Sequence, residues 1–235
     1  MNRRLGKKDV RLDCRTLKLA NYVTALPAPP TKCSWAKGVP QWPMYANDRL
    51  GDCTIAAAGH MQQLWSEQGK PYFEPPLQKI VDVYNVLSPG DDGCVELDVL
   101  NYWRKKGIAG RKITAYASVA PRTTNHVELA VDLFGAVYSG LSLPLSAQSQ
   151  KVWQVTGGSD ATPGSWGGHA VPIVAYNSTY LTCVTWGKLL KMTWAFWHAY
   201  ADEAYAVLDQ SWLGADKVSP GGFNVAQLLA DAKAL

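Results

Sequence analysis

Cys53 ends the turn Asn47-Asp-Arg-Leu-Gly-Asp-Cys53 and opens an apolar run that includes Ile55, Ala56, Ala57, Ala58, Met61, Leu64 and Trp65. That run reads as a buried helix, packed tightly through its small residues. A thiol at a helix start faces the positive end of the macrodipole and backbone N–H groups without intrahelical partners. Both favour the thiolate, the nucleophilic form of the side chain. Asp52 works the other way, because a neighbouring negative charge raises a thiol's pKa unless it points away. Without a base, such a cysteine reads first as a small buried hydrophobe and only second as a nucleophile. Of the four histidines, His60 lies two turns further along the same helix, about 10 Å away, too far for a direct hydrogen bond. His126 and His198 have no telling context, whereas His169 follows two glycines in Ser165-Trp-Gly-Gly-His169-Ala-Val and precedes an apolar strand that would fix it. The bland reading of a lone histidine there is a satisfied core side chain; the chemical one is a general base.

The elements that must hold these two residues change character along the chain. Residues 21–46 contain five prolines and read as extended. Three helices follow, over residues 54–67, 75–87 and 95–106, the last closed by Gly107. Asp91, Asp92, Glu96 and Asp98 lack calcium-loop spacing and read as the acidic start of the third helix. Strands are expected at 113–119, 136–143, 168–176, 180–185 and 204–208, with helices at 125–134 and 223–233 and a Gly/Ser/Pro loop at 156–168. Helices first and mostly antiparallel strands later give an α+β fold.

In this order and spacing the chain resembles the papain-like cysteine peptidases, over about residues 28–210. Trp35-Ala-Lys-Gly38 is similar to the family's Asp-Trp-Arg-x-x-Gly, with the glycine one residue early, and Gly51-Asp-Cys53 resembles Gly-Ser-Cys. Gly168-His169-Ala-Val resembles Asp-His-Ala-Val, and Thr185-Trp186-Gly187 resembles the end of Asn-Ser-Trp-Gly. The resemblance, which points to a bacterial and phage branch, implies a helical lobe (about 47–110) carrying the central Cys helix. It implies a β-rich lobe (about 111–210) packed on it and a C-terminal helix (about 223–233), all within a domain of residues 28–235. It also implies roles: Cys53 as nucleophile, His169 as base, Asn47 as oxyanion donor, Thr185 as orienter of the base. Trp186, Gly51 and Gly168 would line and shield the cleft. Three positions depart from the pattern. Val184 stands where the orienting Asn belongs, Asn47 is one methylene shorter than the usual Gln, and residues 1–27 are too short for the family's long inhibitory propeptide.

Charge sets the first segment apart. Residues 1–18 hold seven basic and two acidic residues, while the remaining chain holds 16 basic and 17 acidic. This arm, residues 1–27, reads as a solvated tail or as a segment docking to an acidic partner such as an assembling virion surface; it is thin support for nucleic-acid binding. The five cysteines form no C-x-x-C pair and no zinc spacing, so neither a metal nor another cofactor is expected. No apolar run reaches the roughly 20 residues of a membrane span, and the start lacks a signal-peptide core. The expected location is therefore the cytoplasm or a virion. Two functions remain: a cysteine hydrolase of peptides or other amides, or a papain-like scaffold reused as a virion structural or binding protein.

Overall fold

The computed structural model describes residues 3–23, 28–213 and 225–233. Its first long element, α1 (Cys53–Gly69), is buried on every side from Cys53 to Ser66, which fits a helix with almost no polar stripe. Its polar side chains turn to backbone acceptors: Gln62 donates to the Ile108 carbonyl at 3.0 Å and the His60 ring meets the Pro43 carbonyl at 2.8 Å. Helices α2 (Leu77–Leu87) and α3 (Glu96–Lys105) pack beside it.

The described strands form one sheet. They are β1 (Leu17–Lys18), β2 (Cys33–Ser34), β3 (Ala115–Ser118), β4 (Val137–Leu143), β5 (Val152–Trp153), β6 (Gly167–Tyr176), β7 (Tyr180–Thr185), β8 (Lys188–Thr193) and β9 (Ala201–Leu208). Their order is β1-β3-β9-β4-β6-β7-β8-β5, with β2 added along β6, and the long neighbours are antiparallel. Side chains alternate between two cores, as a period of two requires. In β9, Tyr205 and Val207 join α1 to α3, while Ala204, Ala206 and Leu208 face α4 (Thr124–Phe134), α5 (Trp194–Tyr200) and α6 (Ala226–Lys233). Tyr138 of β4 donates to the Thr54 carbonyl at 2.9 Å and ties the sheet to the first turn of α1.

The α+β architecture is thus as the sequence implied, with two longer elements that it did not reveal besides the two-residue strands β1, β2 and β5. Strand β8 follows β7 through a two-residue turn, Trp186-Gly187, whose φ angles of 44° and 74° are both positive. Tight hairpins favour Asn-Gly or Asp-Gly at such positions, so a tryptophan there hides the turn. Helix α5 is capped by Thr193, whose hydroxyl accepts from the Phe196 N–H at 3.1 Å, a signal obscured by the surrounding aromatic residues. The C-terminal helix begins at Ala226; Phe223 and Asn224, included in its expected span, lie outside the described residues. All five cysteines are free thiols.

Candidate active site

Cys53 is the first residue of α1 and is 1% exposed; His169 lies on β6 with the same exposure. Both line one small cavity of about 10 Å³, together with Asn47, His60, Thr185 and Trp186. The residue after the histidine completes the junction, since the Ala170 N–H donates to the Cys53 sulfur at 3.4 Å. The start of the helix and the start of the strand therefore meet, bringing Cys53 and His169 to one cavity.

The imidazole is held from two directions. Its Nε2 pairs with the Thr185 hydroxyl at 2.8 Å, and Nδ1 is buried with no hydrogen-bond partner. The Trp186 ring stacks on it, centroids 4.4 Å apart and planes within 11°. That stacking accounts for the strained turn: a bulky residue at φ 44° persists only where its surroundings fix it. Val184 contributes apolar lining, and the hydrogen bond to the ring comes from the adjacent Thr185 hydroxyl. Asn47 donates from Nδ2 to the Leu50 carbonyl at 3.2 Å, within its own turn, while its side chain lines the cavity. Trp35 is not among the cavity's lining residues; its backbone N–H donates to the Val174 carbonyl and its ring lies against Trp212.

The cleft is filled by the chain's own residues 3–8, which sequence reasoning assigned to a tail or a partner's surface. The Arg4 N–H donates to the Asn47 carbonyl (3.0 Å), and the Trp186 indole donates to the Arg4 carbonyl (3.3 Å). Gly6 lies so close to Gly51 that a Cβ on it would fall 1.8 Å from the Gly51 oxygen. The Cys94 N–H donates to the Gly6 carbonyl (2.7 Å), Lys8 returns a bond to Cys94 (2.9 Å), and the Lys7 N–H reaches the Gly168 carbonyl (3.1 Å). Arg3 lies over the outer face of Trp186 at 5.0 Å. Six residues cover this site, so the length that argued against an inhibitory segment is no obstacle: backbone pairing on both walls substitutes for bulk.

This occupancy sets the protonation states. Burial pushes the Cys53 thiol up to about 12, with Asp52 and Glu96 adding to it and the Ala170 and Gly6 N–H groups opposing. Burial takes His169 down to about 3, and the Arg3 charge adds to the shift. Cys53 and His169 are therefore both neutral at pH 7. Asp52 is fully buried, and burial pushes it up to about 8 against the opposing pull of the Asn47 side chain and its own backbone N–H. Its expected negative charge beside the nucleophile is mostly absent at neutral pH.

Two further residues escaped the sequence reading. Asp91, taken there as part of a helix start, accepts from the Gly51 N–H (2.8 Å) and the Tyr84 hydroxyl (2.6 Å) and pairs with Arg4 (3.0 Å). Cys94 offers both its backbone groups to the arm. Neither role has a sequence signal, because each is made by the main chain or by contacts distant in sequence. Among the described residues, no group of three His, Cys, Asp or Glu side chains is placed to hold a metal ion. No described helix is long and apolar enough to cross a membrane.

No protein-family model and no curated protein sequence matches the chain. Solved structures do. Xylellain, a cysteine protease from Xylella fastidiosa, superposes with a TM-score of 0.69 at 17% identity, over 89% of this chain and 98% of that one. Digestive procathepsin L 3 of the Tenebrio molitor larval midgut gives 0.62 at 14% identity, over 87% and 76%. A cysteine protease of Carica candamarcensis gives 0.59 at 14% identity, over 77% and 99%. The fold is papain-like.

Proposed function

We propose that this protein is a cysteine hydrolase of peptides or related amides, held latent by its own N-terminal arm. The observation that carries the reading is the His169 ring, fixed through Nε2 by Thr185 and stacked under Trp186. Its Nδ1 is left without a hydrogen-bond partner, and His169 and Cys53 line the same cavity. Departure of the arm would rehydrate the site and lift the burial that keeps both groups neutral. The Cys53 proton then passes to His169 Nδ1, and the thiolate attacks the amide carbon. The resulting oxyanion meets the Cys53 backbone N–H at the helix start and a donor from Asn47. His169 returns the proton to the leaving amine, and water cleaves the thioester to restore the thiol. The chain's xylellain and Carica candamarcensis neighbours, cysteine proteases by name, support a peptide substrate.

The deep burial of a neutral pair also favours a second reading, in which the scaffold binds a peptide or an assembly partner, such as a virion component, without cleaving it. Full-length Lys7→Met, which loosens the arm, separates the two. It should hydrolyse a mixed fluorogenic peptide library, and adding Cys53→Ala should abolish turnover. Peptide binding with no Cys53-dependent hydrolysis would establish the scaffold instead.

A further inference from the structure

The arm's backbone bonds to Gly168 and Cys94 are open to any peptide, so side-chain selectivity must come from elsewhere. Lys7 alone among the arm's basic side chains is fully enclosed, at 1% exposure, whereas the Arg4 and Arg11 side chains are 47% and 50% exposed. Its Nζ lies 2.9 Å from Asp202 Oδ2, 3.1 Å from Glu203 Oε1 and 3.2 Å from the Lys8 carbonyl. Asp202 also accepts from the Ser142 hydroxyl (2.8 Å), and Glu203 accepts from the Tyr205 hydroxyl (2.8 Å). Glu96 faces the same ammonium, and neither of its carboxyl oxygens has a hydrogen-bond partner. The side chain's path is cut through bare backbone: a Cβ on Gly140 would fall 2.0 Å from Lys7 Cε.

We propose that this acidic cavity is the specificity pocket of the cleft, and that peptide ligands of the protein seat a lysine side chain in it. The proposal rests on the groove being the ligand cleft, as in the reading above. Buried carboxyl groups are costly without a counter-charge, and an apolar guest would leave Glu203 and Glu96 desolvated and unpaired. Burial lifts Glu96 and Glu203 above the usual carboxylate range, and the Lys7 charge draws both back toward ionisation. A site built around a charged guest rejects an uncharged isostere far more strongly than an apolar pocket rejects a missing methylene. The arm carries the residue that the pocket selects and so occupies it as a built-in competitor.

The test uses full-length Lys7→Glu, in which like charge expels the arm. Its ligands are two fluorescein-labelled peptides, Arg-Arg-Leu-Gly-Lys-Lys-Asp and the same sequence with norleucine at the fifth position. Fluorescence anisotropy should show the lysine peptide binding at least about tenfold tighter, and adding Glu203→Leu should erase the difference. Equal binding, or a preference that survives Glu203→Leu, overturns the proposal. Should Lys7→Glu not fold, Lys7→Met gives the same decision through protection of Cys53 from iodoacetamide: the lysine peptide protects, the norleucine peptide does not. Binding is read without turnover, so lysine-selective binding with no hydrolysis would sink the peptidase reading and leave the pocket standing.

Discussion

At the residue scale, the His169 ring, the base of the proposed reaction, is held by a hydroxyl where an amide is usual in the papain-like pattern, and the proposal gives that bond a measurable consequence. The Thr185 hydroxyl is the only hydrogen-bonding partner found for the His169 ring among the described residues. Thr185→Val keeps the shape and removes that bond, leaving the ring held by Trp186 stacking alone. In the Lys7→Met background, kcat should fall by about 10- to 100-fold, with KM changed much less, because orientation of the base matters most in the transition state. Unchanged kcat would remove Thr185 from the site's machinery. Asp52 offers a second measurement. Its folded pKa, about 8, lies above the unfolded value, so its protonated form is favoured by folding and stability falls as pH rises toward 8. Asp52→Asn should therefore melt increasingly above the wild type from pH 5 to pH 8, with a constant gap at higher pH. A gap that does not change with pH would mean that Asp52 is ionised in the fold.

At the element scale, the arm is a strand-like segment whose fit depends on a missing side chain. A Cβ on Gly6 would meet the backbone oxygen of Gly51, and a Cβ on Gly93 would fall 2.0 Å from the Gly6 oxygen, so neither wall can yield by turning a rotamer. Gly6→Ala should displace the arm, and iodoacetamide should modify Cys53 at least about tenfold faster than in the wild type, as expected when burial no longer suppresses the thiolate. Equal rates would show that the arm does not guard the thiol. The Cys helix, the His strand and the order of helices before strands were legible in the sequence, because each rests on local patterning and on motif order. The arm's place was not. Its +5 charge is visible in residues 1–18, but the groups that receive it, Asp91, Glu96 and Asp98 on one side and Asp202 and Glu203 on the other, come from two distant parts of the chain. Only folding brings them to one groove. Strand β8 was hidden for a different reason: Trp186 occupies a turn position that its own side chain disfavours, and it is held there by His169.

At the scale of the whole molecule, a basic segment docked on an acidic groove suggests an electrostatic latch that salt would open, but the distribution of burial argues otherwise. Arg4–Asp91 and Arg11–Asp98 are half-exposed pairs, of a kind worth about 0–1 kcal/mol each and screened by salt. The Lys7 pairs are shielded from solvent, and the remaining hold is backbone hydrogen bonding and close glycine packing, neither of which depends on ionic strength. Raising NaCl from about 0.05 to 0.5 M shortens the screening length to a few ångströms, which weakens the two arginine pairs and leaves the lysine largely untouched. The rate of Cys53 alkylation in the full-length protein should then change by less than about threefold, whereas Lys7→Met should exceed that change at low salt alone. A rise of tenfold or more with salt in the wild type would place the latch on the surface arginines and deny Lys7 its central part. The same comparison separates two routes of release: salt for a surface latch, and competition by a lysine-bearing peptide or removal of the arm for a buried one.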